Sequence, residues 1–367
     1  MINVLTRLWE VLTSKVDSFL FGIAMAIAGV GLITLFSALD QSVARLMTQA
    51  SSLGFALVLM WIVANIPPQT IARAAVPLYL VAVVMLIGVA VFGTTVNGSR
   101  RWLNLGVARF QPSELMKIAL PLMLAWYFQK FEGRIGWKDF ALAAVLIAVP
   151  VYLIKRQPDL GTALLIAASG FYVLYLAGLS WKIIVGLTVI GAAGAPLVWP
   201  YLHDYQRERL LTFIDPSRDP LGTGYHSSQA SIALGSGGMV GKGWMNGTQS
   251  QLDYLPERHT DFIFAVIGEE FGLLGLLILV LLYLFVVARA MYLTTQMQDT
   301  FGRLVASSIA VTFFIYVLIN TCMVSGLLPV VGVPLPLVSY GGTSMVTLLA
   351  GFGILMALFS HRKLVGS

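Results

Sequence analysis

Charged residues and cysteine are both scarce in this chain of 367 residues. Asp, Glu, Lys and Arg make up 11% of the sequence, against about 25% in soluble domains, and hydrophobic residues make up 58%. Cys322 is the single cysteine, which excludes a disulfide framework within one chain. This composition excludes an ordinary soluble protein and predicts one that lies largely in a membrane.

Long apolar runs recur along the whole chain, each close to the ~20 residues with which a helix crosses a hydrocarbon core of about 30 Å. We therefore predict an all-α polytopic membrane protein, one domain over residues 1–367, with about ten transmembrane helices. Nine or eleven would also fit, because several runs are short or contain Gly and Pro. The first run is too long for a signal peptide and no cleavage site follows it. The predicted spans are 18–38, 51–66, 75–93, 112–129, 139–154, 161–177, 181–201, 262–288, 303–325 and 339–360.

The Lys and Arg residues predict which way the chain is inserted. Ten spans place both termini on one side of the membrane, and 11 of the 23 basic residues fall on that side. Seven fall on the other side and five in the long polar loop 202–261, between the seventh and eighth spans. Since positive residues favour the cytoplasmic side, we expect cytoplasmic termini and an extracytoplasmic loop 202–261.

Six of the seven basic residues on the outer side lie in two short segments. They oppose the usual insertion bias and therefore need a reason to be there. One explanation is that they are solvated or face lipid headgroups. The other is that they bind an anionic ligand, such as a phosphate or pyrophosphate. The six are Arg100, Arg101, Arg109, Lys117, Lys155 and Arg156.

Three predicted helices begin at the outer surface with ionisable residues. Glu114 and Lys117 share one helix face, where a structural ion pair is an equal alternative to a site. Asp159 and Asp261 each precede an apolar run, and each could be an ordinary helix N-cap. If these helix ends meet, they line a polar cleft open to the outside, but the sequence does not show that they meet.

The loop 202–261 contains a glycine-rich segment at 235–244. It fails the P-loop pattern, because Ser236 and Gly243 stand where Gly and Ser or Thr are required, so we expect a flexible loop with aromatic and basic contacts. The loop histidines, His203, His226 and His259, lack the spacing of a zinc site.

Two further features are expected to be structural. Glu269 and Glu270 follow Asp261 by about 12 Å along the same predicted helix, at 1.5 Å per residue. Residues 329–342 contain three prolines and three glycines, so we predict a re-entrant segment buried in protein or a groove for lipid.

Five segments together resemble the SEDS family (shape, elongation, division and sporulation). The segment PERHTDFIFAV and the HRK near the C-terminus favour its rod-elongation members over its division members. The five are RRWLNLGVARFQPSE, QPDLGT, DPLGTGYHSSQASIALGSGGMVGKGW, TQSQLDYLPERHTDFIFAVIGEE and LPVVGVPLPLVSYGG.

This resemblance implies a peptidoglycan glycosyltransferase of the bacterial inner membrane. Such an enzyme polymerises lipid II, an undecaprenyl-pyrophosphate-linked disaccharide pentapeptide, on the outer face during cell elongation. The implied partners are a class B penicillin-binding protein transpeptidase and other membrane proteins of the elongation machinery, with no nucleic acid. The family's essential acid falls on Asp261, and its cavity residues fall on Glu114, Lys117 and Asp159.

On this basis we assign Asp261 as the general base that activates the acceptor hydroxyl. A divalent cation, magnesium or manganese, bridging the pyrophosphate to Asp159 or Asp261 is an open option. A flippase for lipid-linked precursors and a scaffold for the penicillin-binding protein are the alternative functions. The residues expected to bind substrate are Arg100, Arg101, Arg109, Lys242, Arg258, His259 and Ser339, with Lys117 beside the arginines at the pyrophosphate.

Overall fold

The structure is a computed structural model that describes residues 14–96, 99–104, 109–157, 159–201, 204–215, 218–219, 222–252 and 254–361. It is mostly helical. The first seven long helices are α1 (Ser18–Ala38), α2 (Val43–Ala64), α3 (Pro68–Phe92), α4 (Pro112–Lys130), α5 (Trp137–Lys155), α6 (Leu160–Leu176) and α7 (Trp181–Val198). Three shorter helices follow, α8 (Asp204–Ile214), α9 (Thr223–Ser236) and α10 (Thr248–Gln251). The chain continues with α11 (Ile263–Thr295), α12 (Thr300–Val324) and α13 (Gly342–Ser360).

Each of the ten apolar runs read from the sequence is matched by one of the ten long helices found among the described residues. In the part of the chain that the structure describes, seven of them are long and apolar enough to cross a membrane: α1, α2, α3, α5, α11, α12 and α13. Helix α6 and the first part of α7, Trp181–Gly191, are apolar but shorter. Helix α4 carries Glu114 in its first turn and Lys130 in its last.

Helices α4, α12 and α13 lie at the centre of the bundle, while most of the described side chains of α7 are exposed. Phe313 of α12 is fully buried between two rings on neighbouring helices. Its ring centroid lies 5.8 Å from that of Tyr283 on α11 and 5.2 Å from that of Phe352 on α13. The residues at the C-terminal end of α12 are therefore held by a rigid, close-packed element.

The connection between α3 and α4 forms a small antiparallel sheet. Its strands are β1 (Thr94–Val96), β2 (Ser99–Asn104) and β3 (Arg109–Phe110), in the order β1-β2-β3. Leu103 pairs with Phe110, and Asn104 pairs with Arg109. The all-α prediction is wrong in this segment, because strands of two to six residues are too short to show an alternating pattern.

Helix α11 is broken at Gly272, whose backbone has φ 65° and ψ −166°. The part after the break, 273–295, is roughly 35 Å long at 1.5 Å per residue, which is long enough to cross a bilayer by itself. The part before it, 263–271, ends against α1, where Ser37 donates to Glu270. The turn that precedes this part is held to the same end of α1, because Arg258 donates to the carbonyl of Ala38.

The glycine-rich segment 237–243, which we call the docking segment, fills this break. A helix break leaves backbone groups without partners, and the docking segment supplies them. The predicted loop is therefore packed against α11 rather than flexible, but its basic and aromatic contacts are present: Lys242 donates to Glu269, and the Trp244 indole donates to the carbonyl of Ile33. Four backbone hydrogen bonds of 2.9–3.1 Å join the two parts: Lys242 N–H to Glu269 O, Gly243 N–H to Glu270 O, Leu273 N–H to Gly238 O and Leu274 N–H to Met239 O.

Candidate functional site

The three ionisable helix ends meet at one face of the protein. Gln111, directly before α4, donates to Oδ2 of Asp159 at 3.2 Å. Gly161 in α6 lies against the segment 331–333: a Cβ added to it would be 2.6 Å from the Val331 side chain. Gly332 faces the remaining acid, since an added Cβ would be 3.4 Å from Oδ2 of Asp261. The segment 331–333 thus separates the α6 end from Asp261 and contacts both.

Lys117 and Glu114 form a buried ion pair in α4. The Lys117 Nζ lies 2.6 Å from Oε1 of Glu114 and 4.8 Å from the ring centroid of Tyr316 on α12. Such a cation–π contact adds to the attraction of the carboxylate. The two side chains also border a cavity of about 30 Å³, which has room for one or two water molecules. The structural ion pair considered from the sequence is therefore present, beside a small and mostly apolar cavity.

The two carboxylate oxygens of Asp159 have different contacts. Oδ1 accepts from the backbone N–H of Thr162 at 3.2 Å, so Asp159 is an N-cap of α6. Oδ2 faces Gln111 and lies 3.7 Å from a guanidinium nitrogen of Arg101. The capping explanation is correct for one oxygen, and the other faces Gln111 and Arg101.

Asp261 lies in a turn just before α11, whose cap position is Phe262 with no side-chain capping bond. Its carboxyl is partly exposed but enclosed by protein on most sides. Burial, and after it the negative charge of Glu257, raise the pKa of Asp261 to about 6 against the opposing effect of Arg209 and Arg101. A carboxylate with this pKa is a stronger base than an ordinary aspartate and is still ionised at neutral pH.

Two residues near Asp261 had no assigned role in the sequence analysis. Arg209 in α8 acts on the charge of Asp261, which places α8 beside the site. Asn320 in α12 donates to the main-chain carbonyl of Asp261 at 2.9 Å. No local motif surrounds either residue, and only the fold brings them within reach of an acid more than 50 positions away.

The three arginines of the β-sheet region differ in their surroundings. Arg101 contacts Asp159 and acts on the charge of Asp261. Arg100 donates to the carbonyls of Gly93 and Ala90 at 2.7 and 3.1 Å, at the C-terminal end of α3. Arg109 is placed by its backbone in β3, and its side chain lies outside the described part of the structure.

The other four residues expected to bind substrate hold the outer loop against the bundle. Lys242 pairs with Glu269 at 2.8 Å, and Arg258 pairs with Asp40 at 2.7 Å. Their role in substrate binding stays a prediction.

His259 packs its ring edge-on against Tyr340, with centroids 5.9 Å apart, and burial lowers its pKa. The Ser339 hydroxyl accepts from the N–H of Leu335 at 2.8 Å and donates to the carbonyl of Thr260 at 2.5 Å. These bonds and the buried residues 335 and 337–339 show that the segment around 329–341 is packed in protein, as predicted. The substrate-binding role of His259 and Ser339 also stays a prediction.

Among the described residues, no group of three His, Cys, Asp or Glu side chains is placed to hold a metal ion. His203 lies outside the described residues. Glu269 accepts from the backbone N–H groups of Gln249 and Ser250 at 2.8 and 3.0 Å, in addition to Lys242, so its predicted structural role is confirmed.

Comparison with known proteins agrees with this architecture. Residues 12–364 match the sequence pattern of the FtsW/RodA/SpoVE family, described as cell cycle proteins. The chain is 47% identical over 350 residues to the peptidoglycan glycosyltransferase MrdB of Escherichia coli strain K12, covering 95% of each chain. It is 37% identical over 322 residues to MrdB of Helicobacter pylori, covering 86% of this chain and 82% of that one.

Solved structures give the same result. One chain, from a study of the structural coordination of polymerization and crosslinking by a peptidoglycan synthase complex, has a TM-score of 0.84 and 35% identity, covering 95% of this chain and 98% of that one. The rod shape determining protein RodA of Thermus thermophilus has a TM-score of 0.72 and 30% identity, covering 95% of this chain and 97% of that one. The resemblance inferred from the sequence is thereby confirmed, and the chain belongs to the FtsW/RodA/SpoVE (SEDS) family.

Proposed function

We propose that this chain is a peptidoglycan glycosyltransferase that polymerises lipid II on the outer face of the bacterial inner membrane during elongation. The names of its relatives support the activity. The observation that carries the mechanism is Asp261, an enclosed carboxyl with a pKa of about 6 that is influenced by the positive charges of Arg101 and Arg209. An acid of this kind beside basic groups suits a reaction in which a hydroxyl attacks and a pyrophosphate leaves.

In the proposed reaction Asp261 takes the proton from the 4-hydroxyl of the acceptor glucosamine. The freed oxygen attacks C1 of the lipid-linked sugar with inversion, and the bond from C1 to the pyrophosphate oxygen breaks. The pyrophosphate leaves on its undecaprenyl chain with the bonding electrons. General-base assistance of this kind contributes about 10²–10⁴ in rate.

Arg101 and Arg209 are the basic residues best placed to stabilise the leaving pyrophosphate, because both act on Asp261. The proposed role of Lys117 differs from the one assigned on the sequence: its ammonium is buried against Glu114 and Tyr316, so it supports the site from within the bundle. Arg100 stabilises the end of α3 and contributes indirectly through β2.

A divalent cation, magnesium or manganese, between the pyrophosphate and Asp159 or Asp261 stays part of the proposal. Oδ2 of Asp159 is the available oxygen, since Oδ1 caps α6. A cation there would take the place of the Arg101 guanidinium, 3.7 Å away. Polymerisation measured in a chelator and again after adding each metal would test this, and a rate unchanged by the chelator would exclude it.

We further propose that all ten long helices cross the membrane, with both termini in the cytoplasm and the loop 202–261 outside. The lengths of the seven long apolar helices support this, as does the position of the acids at the end expected to face outward. The class B penicillin-binding protein and other elongation proteins remain the proposed partners. The structural similarity to a chain from a synthase complex that couples polymerization to crosslinking supports the first of these.

The test is polymer formation from purified lipid II by the chain with its transpeptidase partner in detergent. Asp261→Asn should fold and bind the partner, yet lose about 10²-fold or more of the polymerisation rate. Asp215→Asn, which changes an exposed acid of the same loop beside Arg218, is the matched control and should be active. Normal polymerisation by Asp261→Asn would favour the scaffold function, and transport in vesicles without polymerisation would favour the flippase.

A further inference from the structure

Asn320 connects two irregular segments of the site through one side chain. It is completely buried in α12. Its Nδ2 donates to the carbonyl of Asp261 at 2.9 Å and to the carbonyl of Val333 at 2.7 Å. An amide nitrogen carries two hydrogens, so both donors of Asn320 are used in these two bonds.

Neither accepting carbonyl belongs to a helix or strand. A carbonyl in this position needs a donor from elsewhere, because a buried backbone group without a partner is strongly unfavourable. Asn320 supplies both donors from a close-packed helix, anchored one turn earlier by Tyr316 against Lys117. The positions of Asp261 and Val333 are therefore fixed relative to α12 and to each other.

Gly332 links the two hydrogen bonds of Asn320 to the reacting carboxyl of Asp261. That glycine adjoins Val333 and lies against Oδ2 of Asp261, where an added Cβ would be 3.4 Å away. On the other side, Val331 packs against Gly161, two residues after Asp159. Holding Val333 and the Asp261 main chain together thus sets how deeply the Asp261 carboxyl lies between the turn and the segment 331–333.

The choice of asparagine here does not maximise stability. Its Oδ1 accepts no hydrogen bond from the described residues. A buried carbonyl oxygen that accepts no hydrogen bond from the protein is unfavourable for the stability of the fold. Residues kept despite such a cost are typical of functional sites, where geometry matters more than stability.

We propose that Asn320 is a positioning residue of the active site, whose amide holds the main chain of Asp261 against Val333 and so aims the carboxylate at the acceptor hydroxyl. This inference rests on the proposed role of Asp261 as general base. Asn320 does not touch the substrate, and its effect passes through Asp261.

The test compares Asn320→Leu, which is similar in size and has no donor, with Asn320→Ser, whose one hydroxyl can still serve one carbonyl. Ser308→Ala is the matched control: Ser308 is also fully buried in α12, three turns away, and its hydroxyl has no hydrogen-bond partner among the described residues. The measurements are kcat, KM for lipid II, the pH profile of the rate, and the amount of folded protein.

Both Asn320 variants should lower kcat at least tenfold with little change in KM, and Ser308→Ala should not. The acid limb of the pH profile should also move to lower pH, since a released Asp261 carboxyl gains water and its pKa falls toward that of an ordinary aspartate. The groups that face it stay the same in every variant: Glu257 in the turn, Arg209 in α8, and Arg101 in β2.

A folded Asn320→Ser protein with the kcat and the acid limb of the unchanged chain would overturn the inference. So would a loss of rate that only follows the loss of folded protein, with the acid limb unmoved, because that is the result of a purely structural role. Asp261→Asn is measured in parallel. If it polymerises normally, the general-base proposal fails; if it is inactive while the Asn320 variants are normal, only the positioning role fails.

Discussion

At the residue scale, Asp261 gains basicity at the expense of stability. Its pKa of about 6 lies above the ordinary value of 3.8, because burial disfavours the ionised form. The folded protein therefore holds this proton more tightly than the unfolded chain does. It follows that stability falls as the pH rises from about 3.8 to 6, and that the full penalty is present above pH 6.

Replacing Asp261 with Asn removes this penalty while abolishing polymerisation. Above pH 6 the variant should be more stable by up to about 3 kcal/mol, from a shift of about two pKa units at 1.36 kcal/mol each. Thermal unfolding of the chain in detergent at pH 4 and pH 8 measures the gain. A gain of equal size at both pH values would show that the ionisation of Asp261 is not its cause.

The ion pair of Lys117 and Glu114 allows stability and activity to be separated. Lys117→Met leaves the buried Glu114 charge uncompensated, and breaking such a pair costs about 3–5 kcal/mol. Adding Glu114→Gln should restore the unfolding temperature, because no charge is then buried. If the pair serves the reaction, the double variant stays inactive in polymerisation.

The control for Lys117 is Arg73→Ala, which removes an exposed positive charge from α3, near the side expected to face the cytoplasm. It should leave both the unfolding temperature and polymerisation close to those of the unchanged chain. Recovery of polymerisation in the double Lys117/Glu114 variant would assign that pair a structural role alone.

At the element scale, the docking of the segment 237–243 against α11 depends on close approach of two backbones. A Cβ on Gly237 would lie 1.9 Å from the carbonyl oxygen of Gly268. Gly237→Ala should therefore destabilise the protein by about 1–3 kcal/mol, as overpacking usually does. Gly235→Ala, two residues earlier where a Cβ meets nothing within 4 Å, should be neutral or stabilising by up to about 1 kcal/mol. Thermal unfolding compares them, and equal effects would contradict the close docking.

The ion pair between Arg258 and Asp40 allows a structural role of Arg258 to be distinguished from a role in substrate binding. Its guanidinium donates to the carbonyl of Ala38 and to both oxygens of Asp40, which ties the turn before Asp261 to α1. If this contact is its role, Arg258→Met should lower the unfolding temperature, Asp40→Asn should lower it less, and KM for lipid II should not change. A raised KM for Arg258→Met with an unchanged unfolding temperature would instead support substrate binding.

The sequence predicts the long helices well and their interruptions poorly. Hydrophobic length is a local property, so the run 18–38 coincides with α1 at both ends. Gly272 is one of three glycines between 268 and 275 in an apolar run, and nothing local marks it as the break. Its conformation depends on the docking segment, some 30 residues earlier, whose fit no local pattern encodes.

At the scale of the whole molecule, the insertion predicted from the basic residues can be tested with single cysteines after Cys322→Ala. Arg218→Cys, in the loop 202–261, should react with a membrane-impermeant maleimide on intact spheroplasts. Ser180→Cys and Arg134→Cys should react only after permeabilisation if, as proposed, α4, α5, α6 and α7 each cross the membrane. All three native residues are exposed. Labelling of Arg134→Cys alone from outside, together with Arg218→Cys, would show that α4 does not cross. If Arg134→Cys and Ser180→Cys reacted from outside and Arg218→Cys did not, the orientation of the whole protein would be opposite to the proposed one.

The packing of the whole molecule also determines how much the sequence alone can reveal about the site. Asp261, Asp159 and Glu114 could be selected as candidates because acids at the mouths of apolar helices are rare and costly. The sequence could not predict that these residues converge, because their convergence depends on how α6, α12 and the segment 331–333 pack. Asn320 and Arg209 were missed for the same reason: each is an ordinary polar residue until the fold places it beside Asp261.

The broken helix α11 also has a consequence for the order in which the protein is made. The ribosome completes residues 237–243 before residues 269–274 exist, and under the proposed topology the earlier segment has by then been exported. The backbone groups exposed by the break at Gly272 then meet their partners at the outer surface as α11 is inserted. Under that topology the exported loop supplies the backbone partners that α11 needs as it is inserted, so we expect placement of the last three helices to depend on a segment made before them.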